Sequence, residues 1–479
     1  MTETSLTALV VDLDGTLTPT DTLVESVLQV CKRQPHAIFK LPFWLMKGRA
    51  VFKTRVAQAS SLDVESLPYR TDLLEYLRAE KRKGRQLVLA TAAHTDIADA
   101  VAKHLDMFDK VLGSDENHNL KGVNKLEAIR EAVGPNFVYA GDSKADLPIW
   151  QAAQAAILVN TSKSVAKTVR ANTQIEQEFT SGVNQLRLWL RALRVHQWMK
   201  NLLIFVPLLT AFSFDDLDKL GTVVLGFFGF SLAASATYMG NDLWDLDSDR
   251  NHPRKKFRPF ASADLPILKG LAAACVLLLT GLVLALAVSQ TFLGMLLLYL
   301  FVTTTYTWLL KSYVLIDVMV LSLLYTLRII AGSVAAAVAT SSWLLAFSVF
   351  IFFSLALVKR CSELVALQQK GRETTHGRDY RAVDLVVLWP LGVSSALCAV
   401  VVFGLFITSA DTQARYLNPQ LLWLVAIGLI YWLARLWIKT ARGEMHDDPL
   451  VFAVRDFGSR MTVLLMLFAT LAAHFLPWE

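Results

Sequence analysis

Cysteine is scarce in this chain of 479 residues: Cys31, Cys275, Cys361 and Cys398 are its only four, and no Cys-x-x-Cys spacing occurs among them. Neither a disulfide framework nor a zinc site is suggested, and small buried fillers is the better reading. Charge is scarce as well, since 18% charged against 54% hydrophobic residues is too apolar for an ordinary soluble protein. Met1 to Thr7 lacks a basic start and a sufficient apolar core. No cleavable signal peptide is therefore expected, and the N-terminal region is expected to stay in the cytosol. No nucleic-acid module is present, and the formal net charge of +6 mostly reflects basic loops between apolar runs.

The apolar excess is uneven. Residues 1–190 are mixed and charge-rich, whereas from Asn201 onward come apolar stretches long enough to cross ~30 Å of hydrocarbon at ~1.5 Å per residue. A soluble domain, about 1–185, is joined to a membrane domain, about 186–479. Residues 161–195 read as the connector, with an amphipathic helix through Leu186, Trp189, Leu190 and Leu193.

In the soluble half, Leu6 to Leu13, Gln86 to Thr91 and Asn136 to Gly141 read as buried strands, each followed by a turn or helical pattern. This predicts an α/β parallel sheet, whose sites lie at the carboxyl ends of its strands. The candidate residues fall there: Asp12 and Asp14, Thr91, Lys125 opening a helix, and Asp142 with Asp146. Such a set suits phosphoryl transfer to an aspartate. Asp12 would attack phosphorus, and Asp14 would protonate the leaving oxygen and later activate water, while Thr91 and Lys125 would bind phosphoryl oxygens. Asp12, the Asp14 backbone carbonyl and Asp142 would hold Mg²⁺ with Asp146 nearby. Lys121 is a rival for Lys125, although the helix directly after Lys125 favours the latter.

Together these residues resemble the haloacid dehalogenase superfamily of phosphatases over about residues 6–160. The presence of Asp14 is what separates hydrolases of that superfamily from members that keep only the nucleophile. The resemblance also implies a small helical cap at about 21–68. Within it, Phe39-Lys40-Leu41-Pro42-Phe43-Trp44-Leu45-Met46-Lys47 interleaves aromatics with lysines, which would either rest on a membrane surface or pack the cap against the sheet.

Apolar runs in the second half predict an all-α polytopic bundle of about nine spans, beginning with a short one at 201–214. The lysines and arginines gather in the loops after spans 2, 4, 6 and 8, which places those loops in the cytosol and the C-terminus outside. After the second span comes Asn241-Asp242-Leu243-Trp244-Asp245-Leu246-Asp247-Ser248-Asp249, then His252-Pro253 and a basic stretch ending Arg258-Pro259. On a helix end Asn241, Asp245 and Asp249 recur every four residues and face one way, so they can jointly hold Mg²⁺. A diphosphate would bridge that metal. Lys256 and Arg258 would neutralise its remaining charge and favour its departure.

This string resembles the UbiA superfamily of intramembrane transferases over roughly residues 190–477, together with Arg194-x-x-Gln197-Trp198-x-Lys200-Asn201 before it. Further motifs look like decaprenyl-phosphate phosphoribosyltransferases: Tyr306 to Lys311 and Asp317-Val318, Leu327-Arg328-x-x-Ala331-Gly332, and Lys359-Arg360-x-x-Glu363-Leu364. Members that prenylate aromatic acids usually carry a second Asp-rich repeat in the sixth-to-seventh loop. That loop here holds Lys359, Arg360, Lys370, Arg372, Arg378 and Arg381, and the later Asp447-Asp448 pair lacks the four-residue spacing.

The resemblance implies phosphoribosyl diphosphate as donor, a polyprenyl phosphate as acceptor and Mg²⁺ as cofactor at both centres, in a bacterial inner membrane. Asn241, Asp242, Asp245 and Asp249 would take metal and diphosphate. Lys256, Arg258, Lys311, Lys359 and Arg360 would bind phosphates, with Lys200, beside Asn201, near the lipid phosphate. Asp317 and Arg328 lie eleven residues apart, about three turns, and face the bundle interior as functional charges or as ion pairs with other helices. A homo-oligomer is compatible with all of this. The membrane product would retain a phosphate monoester, which the N-terminal centre would hydrolyse. Two alternatives stand beside this expectation: an aromatic prenyltransferase fused to a phosphatase of separate substrate, and a phosphate-regulated transporter.

Overall fold

The computed structural model describes residues 6–116, 118–180, 182, 184–369, 378–445 and 449–476. Lys370, Arg372, Asp447 and Asp448 lie outside the described residues. The chain divides into two compact units, Met1–Leu193 with Tyr238–Ala274, and Arg194–Thr237 with Cys275–Glu479. The acidic loop after the second apolar run therefore packs with the soluble half.

In the first unit six strands, β1 (Ala8–Val11), β2 (Leu87–His94), β3 (Lys110–Ser114), β4 (Phe137–Gly141), β5 (Ala155–Val159) and β6 (Gln174–Phe179), form one sheet. Its order is β3-β2-β1-β4-β5-β6, with every neighbouring pair parallel. A strand covered on both faces must be apolar throughout, and β1 (Ala-Leu-Val-Val) is buried at all four positions. Leu9 and Val11 enter the core on one face, Val10 the core on the other. From β1 the chain adds β2 and β3 on one side, then β4 to β6 on the other. That reversal opens a crevice at the carboxyl ends of β1 and β4, where ligands of such sheets bind.

The three strands read from the sequence are β1, β2 and β4, and β2 runs on to His94, three residues past the expected end. The cap holds helices Thr22–Arg33, Leu41–Met46 and Arg49–Ala59. Helix Leu41–Met46 buries none of its residues, and Phe39, Phe43 and Met46 are 76%, 67% and 83% exposed. Of the two expectations for this segment, packing against the sheet is not what the fold uses these side chains for.

In the second unit and the helices leading into it, eight helices among the described residues are long and apolar enough to cross a bilayer: Leu217–Trp244, Ile267–Val288, Gln290–Trp308, Ile316–Ala336, Ser342–Gln368, Ala382–Thr408, Pro419–Ala441 and Phe457–Phe475. The expected first span, 201–214, forms no long helix. A 3₁₀ run, Val195–Phe205, gives way at Pro207 to the short helix Val206–Thr210. Fourteen residues would reach only ~21 Å even if fully α-helical, short of the hydrocarbon thickness. The odd number of crossings behind an exterior C-terminus rests on that segment. Helix Ile316–Ala336 lies close against this run, because a Cβ added at Gly332 would stand 2.1 Å from the Ile204 carbonyl oxygen.

Candidate active sites

At the β1–β4 crevice three carboxylates converge. Asp12, Asp142 and Asp146 each offer an oxygen, and these atoms lie within 4.8 Å of one another. Asp12 follows β1 directly, and Leu13 N–H donates to its Oδ1 at 2.8 Å. Gly15 adopts φ +80°, and a Cβ there would stand 2.4 Å from Asp142 Oδ2, so the turn after Asp14 needs glycine for both conformation and space. Thr16 Oγ1 donates to Asp142 Oδ1 at 3.4 Å.

Lys125, near the start of helix Val123–Val133, stands 2.9 Å from Asp12 Oδ1 and 4.0 Å from Asp146 Oδ1. Its Nζ donates to Tyr139 Oη at 3.0 Å, and Tyr139 in turn donates to Asp146 Oδ1 at 2.9 Å. Lys121 lines the same cavity without an ion pair to this carboxylate cluster among the described contacts, so Lys125 is the better-placed cation.

Burial holds the Asp12 carboxyl above its ordinary range against the pull of Lys125. Asp142 is pushed up to about 7 by burial and by neighbouring Asp12 and Asp146. Carboxylates that resist ionising together are a hard cation's natural ligands, and the three oxygens fit Mg²⁺. Asp14 turns the other way. Its Oδ1 accepts from Thr22 N–H at 2.9 Å, and burial followed by the charge of Asp21 raises its carboxyl to about 7.

These groups line a cavity of about 550 Å³ that also takes in Lys53 from the cap and Pro266 and Leu268 from the start of an apolar helix. Thr91 is fully buried within β2, its Oγ1 accepting from Ala93 N–H at 3.0 Å. The cavity wall at that strand end is made by Ala92, Ala93 and His94. Lys53 was not singled out in the sequence. Its Nζ donates to the Ala92 carbonyl at 2.5 Å and to Asn119 Oδ1 at 2.7 Å, and no spacing marks it in advance.

The acidic loop begins as helix Leu217–Trp244 ends. Asp245 caps a five-residue helix, Leu246–Arg250, and the four-residue ladder persists through Asp245 N–H to the Asn241 carbonyl and Asp249 N–H to the Asp245 carbonyl. Asp242 and Asp249 are both buried and share one donor, Arg258 Nη1, at 3.0 and 2.6 Å. Arg258 thus holds carboxylates here. Asn241 and Asp245 are half-buried and Lys256 is exposed, its Nζ 5.3 Å from the Phe257 ring centroid. Asp249 Oδ1 is buried without a hydrogen bond, and Lys255 Nζ stands 3.8 Å from it. Among the described residues no three carboxylates of this loop converge as those of the hydrolase centre do; what suits a divalent cation here is the buried Asp242–Asp249 pair with its orphaned Asp249 oxygen.

In the second unit, Arg328 is buried among neutral acceptors. Its Nε donates to Asn201 Oδ1 at 2.9 Å, Nη2 to Tyr299 Oη at 2.7 Å and Nη1 to the Leu324 carbonyl at 2.6 Å. Asp317 accepts from Tyr380 Oη at 2.6 Å and pairs with Arg360, which also pairs with Glu363. Arg360, expected among the phosphate binders, is fully enclosed by these partners. For Asp317, an ion pair with another helix is what the fold provides. Lys200 lies 5.8 Å from the Tyr325 ring centroid, and with Lys359, Tyr325 and Leu321 it lines a narrow cavity. Lys311 is half-exposed in the turn Leu310–Ser312.

Residues 202–475 match the UbiA prenyltransferase family, and residues 9–151 match haloacid dehalogenase-like hydrolases. An uncharacterized protein, y4nM, of Sinorhizobium fredii is 39% identical, over 94% of this chain and 87% of its own length. The nodulation protein NoeC of Azorhizobium caulinodans is 34% identical, over 57% of this chain and 89% of its own. Decaprenyl-phosphate phosphoribosyltransferase of Mycobacterium tuberculosis is 32% identical, over 56% and 87% respectively.

Proposed function

Because the chain belongs to the UbiA prenyltransferase family and carries a haloacid dehalogenase-like hydrolase domain ahead of that region, we propose that this multi-pass membrane protein catalyses two consecutive steps on one lipid. In the first, an oxygen of a polyprenyl phosphate attacks the anomeric carbon of phosphoribosyl diphosphate. The carbon–oxygen bond to pyrophosphate breaks through an oxocarbenium-like state, and pyrophosphate leaves. In the second, the 5-phosphate of the product is hydrolysed to give polyprenyl-phosphoryl-ribose. The reading is supported by the phosphoribosyltransferase relative together with the buried Asp242–Asp249 pair of the acidic loop.

Asn241, Asp242, Asp245 and Asp249 would hold Mg²⁺, which when bound neutralises the diphosphate and stabilises it as a leaving group. The lipid phosphate is already ionised at neutral pH, so no strong base is required. Lys256 and Lys311 would meet the soluble substrate's phosphates, and Lys200 with Lys359 the lipid's.

In the hydrolase centre Asp12 attacks phosphorus and the ester oxygen leaves with the proton of Asp14. Asp14 then takes a proton from the water that releases phosphate from Asp12. Lys125 pulls Asp12 toward its ionised form and orients it, and Asp142 and Asp146 would complete the shell of a second Mg²⁺. The outward aromatics of the cap, with Lys40 and Lys47, suit an anionic lipid surface near the substrate.

Mass spectrometry of lipids formed by the purified protein from phosphoribosyl diphosphate, polyprenyl phosphate and Mg²⁺ tests both steps. Wild type should yield the ribosyl lipid and Asp12→Asn its 5-phosphate. Dephosphorylated product from Asp12→Asn would sink the relay, and product only from a prenyl diphosphate with an aromatic acid would favour the other UbiA chemistry.

A further inference from the structure

The acidic loop does not hold its own shape. A five-residue helix such as Leu246–Arg250 has too few internal hydrogen bonds to persist by itself. What fixes it comes from the hydrolase domain. Arg250, next to Asp249, makes a fork-on-fork pair with Glu25 of the first cap helix, Nη1 to Oε2 at 2.7 Å and Nη2 to Oε1 at 2.6 Å. Both side chains are at least 95% buried. Two turns further along that cap helix, Lys32 pairs with Asp247 at 3.2 Å.

Each end of this clamp reaches a different centre. On one side, the cap helix begins at Thr22, whose N–H donates to Asp14 Oδ1 at 2.9 Å. On the other, Arg250 Nε donates to the Ala261 carbonyl at 3.1 Å, tying the short helix to the returning segment that carries Arg258, the residue shared by Asp242 and Asp249. A buried ion pair contributes little net stability compared with apolar packing, but its geometry admits few alternatives.

We propose that Glu25 is a positioning residue of the transferase: through Arg250 it sets the acidic loop in the shape that takes a divalent cation. The inference rests on the acidic loop being the metal and diphosphate site of the proposed function. The hydrolase domain is then a structural part of the transferase centre as well as the catalyst of a later step.

Mn²⁺ titration followed by electron paramagnetic resonance tests this on the full-length protein in detergent, in an Asp142→Asn background that weakens the hydrolase metal centre. Adding Asp245→Asn and Asp249→Asn should remove the remaining bound Mn²⁺. If it does not, the assignment of the acidic loop as a metal site fails, and the inference with it. Adding Glu25→Gln instead should weaken that Mn²⁺ binding at least fivefold. Glu25→Gln alone, with Asp142 intact, should hydrolyse p-nitrophenyl phosphate within twofold of wild type, showing that the hydrolase domain has kept its fold. Unchanged Mn²⁺ affinity overturns the proposal. So does a parallel loss of both properties that Lys32→Ala, a milder cut in the same clamp, reproduces. Weakened Mn²⁺ binding in Lys32→Ala, with hydrolysis intact, supports it even where Glu25→Gln folds poorly.

Discussion

Lys125 Nζ stands 2.9 Å from Asp12 Oδ1, and both side chains are almost entirely enclosed. A nucleophilic carboxylate needs its negative charge, and burial alone would take that charge away. Lys125 opposes that loss, pulling the carboxyl back toward its charged form. Lys125→Met should therefore lower phosphomonoester hydrolysis by about 10²- to 10³-fold, comparable to removing a preorganised charge from a closed site. Lys121→Met should cost only a few-fold. Phosphate release assays on the two variants decide between them.

The Asp14 carboxyl, raised to about 7 by burial and by Asp21, sets a pH limit on the same centre. Its proton is needed by a poor leaving group, so the protonated form is the active one in the first step. Hydrolysis of an alkyl phosphate should be fastest below that value and decline as pH rises through it. With p-nitrophenyl phosphate, whose leaving group departs without a proton, the alkaline decline should be shallower. Profiles of kcat/KM for the two substrates that coincide would contradict this role.

Asp317 behaves as a structural charge. With Arg360 fully enclosed beside it, Asp317→Asn leaves a buried guanidinium with a weakened partner, a cost of about 3 kcal/mol. Thermal unfolding in detergent should shift downward by several degrees. In the folded fraction, the KM for the proposed donor, phosphoribosyl diphosphate, should stay near its wild-type value.

Gly332 is where helix Ile316–Ala336 meets the 3₁₀ run. A methyl group there would lie 2.1 Å from a backbone oxygen that has no rotamer to retreat to. Gly332→Ala should destabilise the membrane unit by about 1–3 kcal/mol. Gly221→Ala, at a helical glycine with nothing within 4 Å of the added carbon, is the matched control in the same melting experiment.

Much of the hydrolase centre was legible because its residues stand at strand ends, where a run such as Ala8–Val11 announces itself by continuous burial. The edge strand β6, Gln-Ile-Glu-Gln-Glu-Phe, was not, since its mostly polar residues mask the period. Among the described residues, eight helices long and apolar enough to cross a bilayer follow from length and hydropathy. The first expected span failed because a stretch of 14 residues interrupted by Pro207 can be apolar without forming a long helix. Four-residue spacing located the acidic loop, but it could not tell that Asp242 and Asp249, seven positions apart, would share Arg258. Nor did it reveal that Arg360 is spent on Asp317. Such pairings depend on which helix faces which, information that a local pattern does not carry.

The first unit is not contiguous in the chain. It is completed by Tyr238–Ala274, which are made only after residues 194–237. At about 5–20 residues per second, translation of that intervening piece takes several seconds. The hydrolase domain therefore leaves the ribosome with Glu25 and Lys32 lacking their partners, and stays so until the segment after helix Leu217–Trp244 has emerged. Completion of this unit thus waits on synthesis of its second segment, and a chain stopped before Tyr238 should leave behind a domain whose sheet is finished but whose seam is open.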